Sequence, residues 1–246
     1  MPPPAYFPAN VAMNKMGYES IDSVINNGMN ALSVADFENV AETKDAVILD
    51  TRDAGEFVKG FIPRSIQIGV QGDFAPWVGA LIKDVKQPIL LVTAVGKEEE
   101  TVIRLSRVGF DNILGHLNGG FQSWKTAGKE FDTVNRISAT QFETEFKAGE
   151  TTVIDVRRES EYCAEHVEEA FNKPLDSINE WFKNIDTEKP FYLHCAGGYR
   201  SAIAASILKS RGIHHFFEID GGFKAIAETT SIPKTNFICQ SKLMTN

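Results

Sequence analysis

Cysteine is scarce in this sequence of 246 residues, which contains only Cys163, Cys195 and Cys239. An odd number of widely separated cysteines does not provide the disulfide framework of a small secreted domain, so we expect a reducing cytoplasm. Long apolar runs are also missing: no stretch of about 18 apolar residues is present, and no membrane span is predicted. The N-terminal segment MPPPAYFPANVAMNK lacks a basic start followed by an apolar stretch, so no secretory signal is predicted.

The sequence has fewer basic than acidic residues: 25 Lys and Arg against 33 Asp and Glu, which gives a formal net charge of -8. Surfaces that bind nucleic acid or anionic membranes need concentrated Lys and Arg, so we expect neither as a partner. Metal-ligand spacing is missing too, and we expect no metal site and no cofactor. The histidines that lack such spacing are His116, His166, His194, His214 and His215.

The chain repeats itself over most of its length. The segment ALSVADFENV, followed by AVILDTRDAGEFVKGFI, aligns with RISATQFETEF, followed by TVIDVRRESEYCAEHV. This alignment pairs Asp50 with Asp155 and Arg52 with Arg157, each 105 residues apart. Farther on, ILLVTAVG matches FYLHCAGG and NGGFQSW matches DGGFKAI at a spacing of 102 residues. The sequence therefore predicts two copies of one domain.

Each copy has the pattern of an α/β domain with a mostly parallel sheet flanked by helices. Short apolar runs, typical of buried parallel strands, alternate with helical patterns. The strands predicted in this way are 47–49, 89–92 and 112–114 in the first copy, and 153–154, 191–193 and 216–219 in the second.

Two serines are expected to begin a short helix in each copy. Ser33 and Ser138 stand where a capping hydroxyl is typical, and each helix is expected to carry Phe37 or Phe142 inward. The predicted organisation is an extension at residues 1–30, a first domain at 31–130, a linker around 129–135 and a second domain at 136–246.

The second copy carries a chemical motif where a strand meets a helix. Ligands of open α/β sheets bind beyond the carboxyl ends of the strands, which is where Cys195 falls. Gly197 and Gly198 allow backbone amides to turn inward, while Arg200 supplies a positive charge. Ser201 adds a hydroxyl donor, and the set favours a thiolate or a persulfide anion. The loop consists of Cys195, Ala196, Gly197, Gly198, Tyr199, Arg200 and Ser201.

This loop fits C-x-x-G-x-R-[ST], the active-site loop of rhodaneses. The pattern Asp155-x-Arg157-x-x-x-Glu161 and the later DGGF resemble the flanking motifs of the same family. From about residue 31 onward, the chain thus resembles two rhodanese-like domains in tandem. The resemblance implies a thiosulfate or persulfide sulfurtransferase in which Cys195 takes sulfane sulfur from thiosulfate or glutathione persulfide and passes it to a thiol or to cyanide.

Two other functions stay open at this point. A cysteine phosphatase or arsenate reductase is disfavoured, because cysteine phosphatases place five residues between Cys and Arg, whereas four lie between Cys195 and Arg200. A docking module with a vestigial Cys195 is the alternative without catalysis.

The first copy is expected to be inactive. Thr93 stands at the position of Cys195, and Glu98 stands at the position of Arg200. Carboxylates suit the start of a helix but disfavour a bound anion, so this loop is interpreted as structural.

Five further residues receive secondary interpretations. Asp155 and Arg157 are expected to pair and fix a loop, because the same pair occurs in the inactive copy. His194 is interpreted either as tuning the nucleophile or as a structural hydrogen-bonding group. Cys163 is expected to be a small buried residue, whereas Cys239 near the C-terminus receives only a minor interpretation as a resolving thiol.

The lead-in and the tandem copies also resemble the C-terminal part of proteins that join a metallo-β-lactamase-type persulfide dioxygenase to rhodanese domains. The resemblance implies an N-terminal metal-binding dioxygenase domain as a partner in a parent protein. The present sequence has no H-x-H-x-D-H motif, so that activity is not expected to reside in it.

Overall fold

The computed structural model describes residues 20–149 and 151–235. It divides into two compact units between Thr133 and Val134. The lead-in MPPPAYFPANVAMNK and Cys239 lie outside the described residues. No helix within the described part of the chain is both long enough and apolar enough to cross a membrane.

The first unit alternates helices and strands. Its described elements are α1 (Ile21–Gly28), β1 (Ala31–Leu32), α2 (Val34–Thr43), β2 (Val47–Asp50), α3 (Ala54–Phe57), β3 (Ile66–Gln67), α4 (Phe74–Leu81), β4 (Ile89–Val92), α5 (Glu98–Ser106), β5 (Ile113–Leu117) and α6 (Gly120–Thr126). The strands form a parallel sheet in the order β1-β5-β4-β2-β3.

The second unit has the same arrangement. Its described elements are β6 (Arg136–Ile137), α7 (Ala139–Ala148), β7 (Thr152–Asp155), α8 (Glu159–Ala164), β8 (Phe171–Asn172), α9 (Ile178–Trp181), β9 (Phe191–His194), α10 (Tyr199–Ser210), β10 (Phe216–Ile219) and α11 (Gly222–Thr229), with short 3₁₀ turns at Leu175–Ser177 and Phe182–Asn184. Its sheet is parallel, in the order β6-β10-β9-β7-β8. The α/β fold with mostly parallel sheets, predicted from the sequence, is confirmed.

The central strands agree with the apolar runs in the sequence, but the edge strands do not show in that pattern. Strands β1, β3, β6 and β8 have only two residues each, which is too short for a periodicity to appear. Helix α1 lies inside the segment that the sequence analysis assigned to an extension. It belongs to the first unit, where its Val24 is buried and a Cβ at Gly28 would lie 2.5 Å from a Val102 methyl carbon.

The serine caps and the inward phenylalanines are confirmed. Ser33 Oγ accepts a hydrogen bond from the Asp36 amide, and Ser138 forms a reciprocal capping box with Gln141. These caps orient α2 and α7 so that Phe37 and Phe142 are fully buried in the cores of their units.

One carboxylate fastens α7 to the segment after α11. Glu143 Oε1 accepts hydrogen bonds from the Ser231 amide at 2.7 Å and from the Ser231 hydroxyl at 2.5 Å, while Lys147 lies 3.0 Å away. The Ser231 hydrogen bonds, with Lys147, hold the pKa of Glu143 at about 2. The ionised carboxylate therefore stabilises the folded second unit at neutral pH.

We predict that Glu143→Gln lowers the free energy of unfolding at pH 6 and that the deficit disappears in acid. A carboxyl whose pKa is depressed by folding contributes above its unfolded value of about 4.5 and loses that contribution as the pH falls toward about 2. Urea denaturation of both proteins between pH 6 and pH 2.5 measures the difference. Glu145→Gln, on an exposed position of the same helix, is the control, and a deficit that is constant with pH would contradict the assignment.

Candidate active site

The central strand of the second unit ends at the predicted nucleophile. Strand β9 lies between β10 and β7, and Cys195 follows it directly at the carboxyl edge of the sheet. The whole residue is only 1% exposed, whereas reactive cysteines ordinarily lie in partially exposed surroundings. The strand places the sulfur at the floor of the loop, and the loop covers it.

The glycines of the loop have different conformations. Gly198 has a φ of +104° and donates its amide hydrogen to Cys195 Sγ at 3.1 Å. Gly197 is exposed and has no positive φ, so only Gly198 uses the backbone freedom that glycine provides. Ala196 and Tyr199 are partly buried beside them. The amide of Gly198 is thus directed at the sulfur.

Helix α10 begins at Tyr199, within this loop, and brings a hydroxyl to the sulfur. Ser201 lies in its first turn, is fully buried, and places Oγ 3.5 Å from Cys195 Sγ. The amino end of a helix carries partial positive charge, which favours a negative charge on a nearby atom. Ser201 therefore occupies the position predicted for it. Gly212, two residues after the last helical residue Ser210, has a left-handed φ of +82° and ends the helix.

Arg200 forms a two-pronged ion pair with a carboxylate. Its Nη1 and Nη2 atoms donate to the two oxygens of Glu161 at 2.6 and 2.8 Å. This pairing raises the pKa of Arg200 and lowers the pKa of Glu161. The positive charge of Arg200 near Cys195 is therefore partly balanced by Glu161 on α8. The loop motif alone does not reveal this ion pair.

Asp155 and Arg157 form the predicted pair beneath the site. Asp155 is fully buried and accepts from the Arg157 amide, from Nε and from Nη2, the last at 2.6 Å. Arg157 also donates to the Glu165 carbonyl and stacks over the Phe223 ring at 4.1 Å. Arg52 and Asp50 repeat this pairing in the first unit, with Phe121 as the stacked ring.

The start of α11 holds the nucleophile loop by its backbone. The Phe223 amide donates to the Cys195 carbonyl at 2.7 Å, and the Lys224 amide donates to the Ala196 carbonyl at 3.0 Å. Gly222 makes this approach possible, because its φ is +57° and a Cβ there would lie 2.4 Å from the Cys195 carbonyl oxygen. The DGGF motif thus positions the loop.

His194 is a structural neighbour of the nucleophile. It is fully buried, its Nδ1 lies 3.2 Å from the Cys195 carbonyl oxygen, and 4.0 Å separates Nδ1 from Asp155 Oδ1. Burial lowers the pKa of His194, so the ring is neutral at neutral pH. Neutral His194 supplies no positive charge to the sulfur.

Two residues of this neighbourhood escaped the sequence analysis. Glu218 on β10 is fully buried, accepts from Ser201 Oγ at 2.6 Å, and pairs with Arg136 Nε at 2.6 Å. The signal that identifies it is a carboxylate inside the apolar run FFEI, because a buried charge requires partners. Arg136 was hidden by its place in a two-residue strand.

Cys163 differs from its interpretation as a buried residue. It lies on the exposed side of the short helix α8. Its neighbour Tyr162 faces inward instead and donates its hydroxyl hydrogen to the Ala170 carbonyl. Cys163 therefore provides an accessible reference thiol in the same chain.

The corresponding loop of the first unit has a threonine in place of the cysteine. Thr93 follows β4 and is 3% exposed, and Glu98 begins α5 where the second unit has Arg200. A cleft of about 480 Å³ remains beside this loop, with Arg52, Thr93 and Phe121 in its lining. The first unit thus has a cleft and the Asp50–Arg52 ion pair beside this loop, with no thiol at the position of Cys195.

In the part of the chain that the structure describes, no group of three His, Cys, Asp or Glu side chains is arranged to hold a metal ion.

We predict that Gly222→Ala displaces the loop, whereas Gly197→Ala is tolerated. A methyl group at Gly222 meets the Cys195 carbonyl oxygen in a left-handed conformation, and we expect a loss of at least about 2 kcal/mol in stability. No atom lies within 4 Å of a Cβ at Gly197, so that variant should change stability by less than about 0.5 kcal/mol. Urea denaturation and alkylation of Cys195 measure both variants, and equal effects would contradict this account of the loop.

Comparison with known proteins identifies one family. The rhodanese-like domain matches residues 33–127 and again residues 138–229. The protein YqhL of Bacillus subtilis is 38% identical over 91 residues, which are 36% of this chain and 72% of YqhL.

Solved structures give related matches. A rhodanese-related protein of Thermoplasma volcanium is 28% identical, with 41% of this chain and 97% of the other covered and a TM-score of 0.38. A thiosulfate sulfurtransferase of Pseudomonas aeruginosa is 16% identical, with 85% of this chain and 44% of the other covered and a TM-score of 0.38. Because the family matches both halves and most of the sequence, the chain belongs to the rhodanese-like domain family, whose domains are typically sulfurtransferases.

Proposed function

We propose that this protein transfers sulfane sulfur through a persulfide on Cys195. The sulfur donor is thiosulfate or a low-molecular-weight persulfide such as glutathione persulfide, and the acceptor is a thiol or cyanide. One observation carries the proposal: Cys195 Sγ lies at the start of α10 with the Gly198 amide at 3.1 Å and the Ser201 hydroxyl at 3.5 Å. These groups complement negatively charged sulfur.

The reaction proceeds in two displacements. The Cys195 thiolate attacks the outer sulfur of thiosulfate, the S–S bond of the donor breaks, and sulfite leaves with the electron pair. Cys195 then carries a persulfide. The acceptor thiolate or cyanide attacks the outer sulfur of that persulfide, and the departing Cys195 thiolate takes back the electron pair.

The loop assists the sulfur anion at each stage. The Gly198 amide is fixed toward Sγ by the left-handed conformation of Gly198, so little reorganisation is needed when negative charge develops. The carbonyl groups of Cys195 and Ala196 face the opposite way, toward the amides of α11. Their lone pairs are thereby kept from the anionic sulfur.

Access to the sulfur requires local movement of the loop. Cys195 is only 1% exposed, so a donor reaches Sγ only when the atoms that cover it shift. Gly197 is the exposed residue of this loop, and no atom lies within 4 Å of its Cβ direction. We place the entry of the donor on the Gly197 side, because that side offers the least packing resistance.

The first unit is proposed to be non-catalytic. Its hydroxyl at Thr93 is a far weaker nucleophile toward sulfur than a thiolate at neutral pH. Glu98 and Glu99 begin its helix and would repel an anionic donor such as thiosulfate. Sulfur transfer is therefore assigned to the second unit alone.

The proposed partners follow from this chemistry and from the sequence resemblance. A small anionic sulfur donor and a thiol acceptor meet the protein in the cytoplasm. The lead-in also supports a metal-binding persulfide dioxygenase domain of the metallo-β-lactamase fold, upstream in a parent protein. An upstream reading frame that encodes such a domain tests this extension, and an upstream stop codon would remove it.

We predict that Cys195→Ser reduces the rate of sulfur transfer from thiosulfate to cyanide by about a thousandfold or more, because the covalent sulfur carrier is lost. Steady-state thiocyanate formation measures the rate, with double-reciprocal plots that are parallel in the wild type if the mechanism is ping-pong. Cys163→Ser removes the exposed thiol and is expected to leave the rate unchanged. Full activity of Cys195→Ser would contradict transfer through Cys195, and no measurable transfer by the wild type would favour a docking module.

A further inference from the structure

A buried carboxylate lies behind the nucleophile loop. Glu218 on β10 pairs in register with Leu193 on β9, so its side chain lies on the same face of the sheet as that of Leu193. There, Oε1 lies 2.6 Å from Ser201 Oγ, and the side chain has no exposed surface. The proposed transfer mechanism makes no use of this carboxylate.

The Ser201 hydroxyl connects Glu218 to the sulfur. Its oxygen lies 2.6 Å from Glu218 Oε1, 3.2 Å from the Gly198 carbonyl and 3.5 Å from Cys195 Sγ. A hydroxyl has one hydrogen to donate, and the nearest acceptor is the carboxylate. A lone pair of Oγ is then left to accept the thiol hydrogen of Cys195.

We call the side chains of Cys195, Ser201 and Glu218 the relay. Several charge pairs surround it. Arg136 Nε holds the second oxygen of Glu218 at 2.6 Å, and its Nη1 lies 3.2 Å from Asp220 Oδ1. The charged and titratable groups near the relay on the neighbouring elements are Arg136, Asp155, Arg157, Glu161, His194, Arg200 and Asp220. Among them Asp155 is paired with Arg157 and Glu161 with Arg200.

The first unit shows which of these groups the fold itself requires. Strand β1 pairs Ala31 with His116 in the same register in which β6 pairs Arg136 with Glu218. The first unit therefore lacks both the buried carboxylate and its arginine.

The first unit also replaces the other members of the relay. Thr93 stands in place of the nucleophile, and Glu99 stands in place of Ser201. The Asp–Arg ion pair, in contrast, is present in both units, as Asp50 with Arg52 and as Asp155 with Arg157. The Ser201 and Glu218 side chains thus occur only in the unit that has the thiol at this position, whereas the Asp–Arg ion pair occurs in both copies of the fold.

We propose that Glu218 is a positioning residue that receives the Cys195 thiol proton by way of Ser201. The thiol proton moves to Ser201 Oγ while the Ser201 hydroxyl proton moves to Glu218 Oε1. The S–H bond and the Ser201 O–H bond break, a new O–H bond forms on each oxygen, and the single negative charge passes from the carboxylate to the sulfur. The inference rests on the proposed sulfur transfer, for which it supplies the thiolate.

The environment of Glu218 supports the exchange. Burial raises the pKa of this carboxyl above its ordinary value, against the opposing effect of Arg136. A buried carboxylate gains more from proton uptake than an exposed one, because the charge leaves a poorly solvated position. After the transfer, Ser201 donates to the thiolate and the neutral Glu218 donates to Ser201, so each member of the relay keeps a partner.

The relay changes how Cys195 reacts with pH. When two groups share a proton, the pair titrates in two steps, and the thiolate fraction stays constant between them. We expect alkylation of Cys195 by iodoacetamide to rise in two steps with an intermediate plateau. A carboxylate with a purely structural role leaves a single step.

The test compares the full-length wild type with Glu218→Gln and Ser201→Ala. Peptide mass spectrometry follows the rate of Cys195 alkylation between pH 5 and pH 9. In Glu218→Gln the rate of Cys195 alkylation is expected to rise with pH in one step. At pH values below that step the rate is expected to fall tenfold per pH unit. Ser201→Ala is expected to lose the plateau and show one step, because the thiol proton can no longer pass to Glu218. At the pH of the wild-type plateau it is expected to react about tenfold more slowly than wild type. Ser201→Thr retains the hydroxyl and is expected to restore the plateau.

Circular dichroism of each variant establishes whether it is folded. If Glu218→Gln is not folded, Ser201→Ala and Ser201→Thr provide the test. A single step in the wild type, or variant rates that differ from it by a constant factor at every pH, would overturn the relay. Alkylation needs neither sulfur donor nor acceptor, so this outcome is distinguishable from a failure of sulfur transfer. Loss of transfer with an intact two-step profile would count against the proposed function alone.

Discussion

The hydrogen bond from the Phe223 amide to the Cys195 carbonyl, 2.7 Å long, determines where the sulfur lies. It requires the backbone of α11 to approach the loop more closely than any side chain at Gly222 would allow. With the carbonyl turned toward α11, the other side of the loop presents the Gly198 amide to Sγ. The Arg157 side chain supports the arrangement from below, since it stacks on the Phe223 ring. The geometry of the sulfur site is thus a consequence of backbone packing between two loops.

Comparison of the two units distinguishes residues that the fold requires from residues that only the Cys195 site requires. Both contain a five-stranded parallel sheet and a buried Asp–Arg pair that stacks on a phenylalanine. Only the second has a thiol at the end of its central strand, whereas the first has Thr93 there and Glu98 where Arg200 would stand. A fold alone does not specify an activity, and here one chain carries the same scaffold with and without a cysteine at this position.

The sequence predicted the parts of the structure that have strong local signals. The Cys195 loop combines a strand, two glycines and a helix, and the serine caps and buried phenylalanines follow known patterns. Burial of Cys195 was not predictable, because it depends on how the loop folds over the sulfur. The pairing of Arg200 with Glu161 joins residues that are distant in sequence. The environment of Glu218 depends in the same way on the register of β6 and β10.

The position at which the protein holds transferable sulfur tests the role of Cys195 most directly. Peptide mass spectrometry after incubation with thiosulfate or glutathione persulfide determines which thiol gains sulfur. We predict one added sulfur atom on the peptide that contains Cys195, lost again when a thiol acceptor is supplied. An unmodified Cys195 peptide, with sulfur transfer still measurable in the same sample, would contradict the central claim.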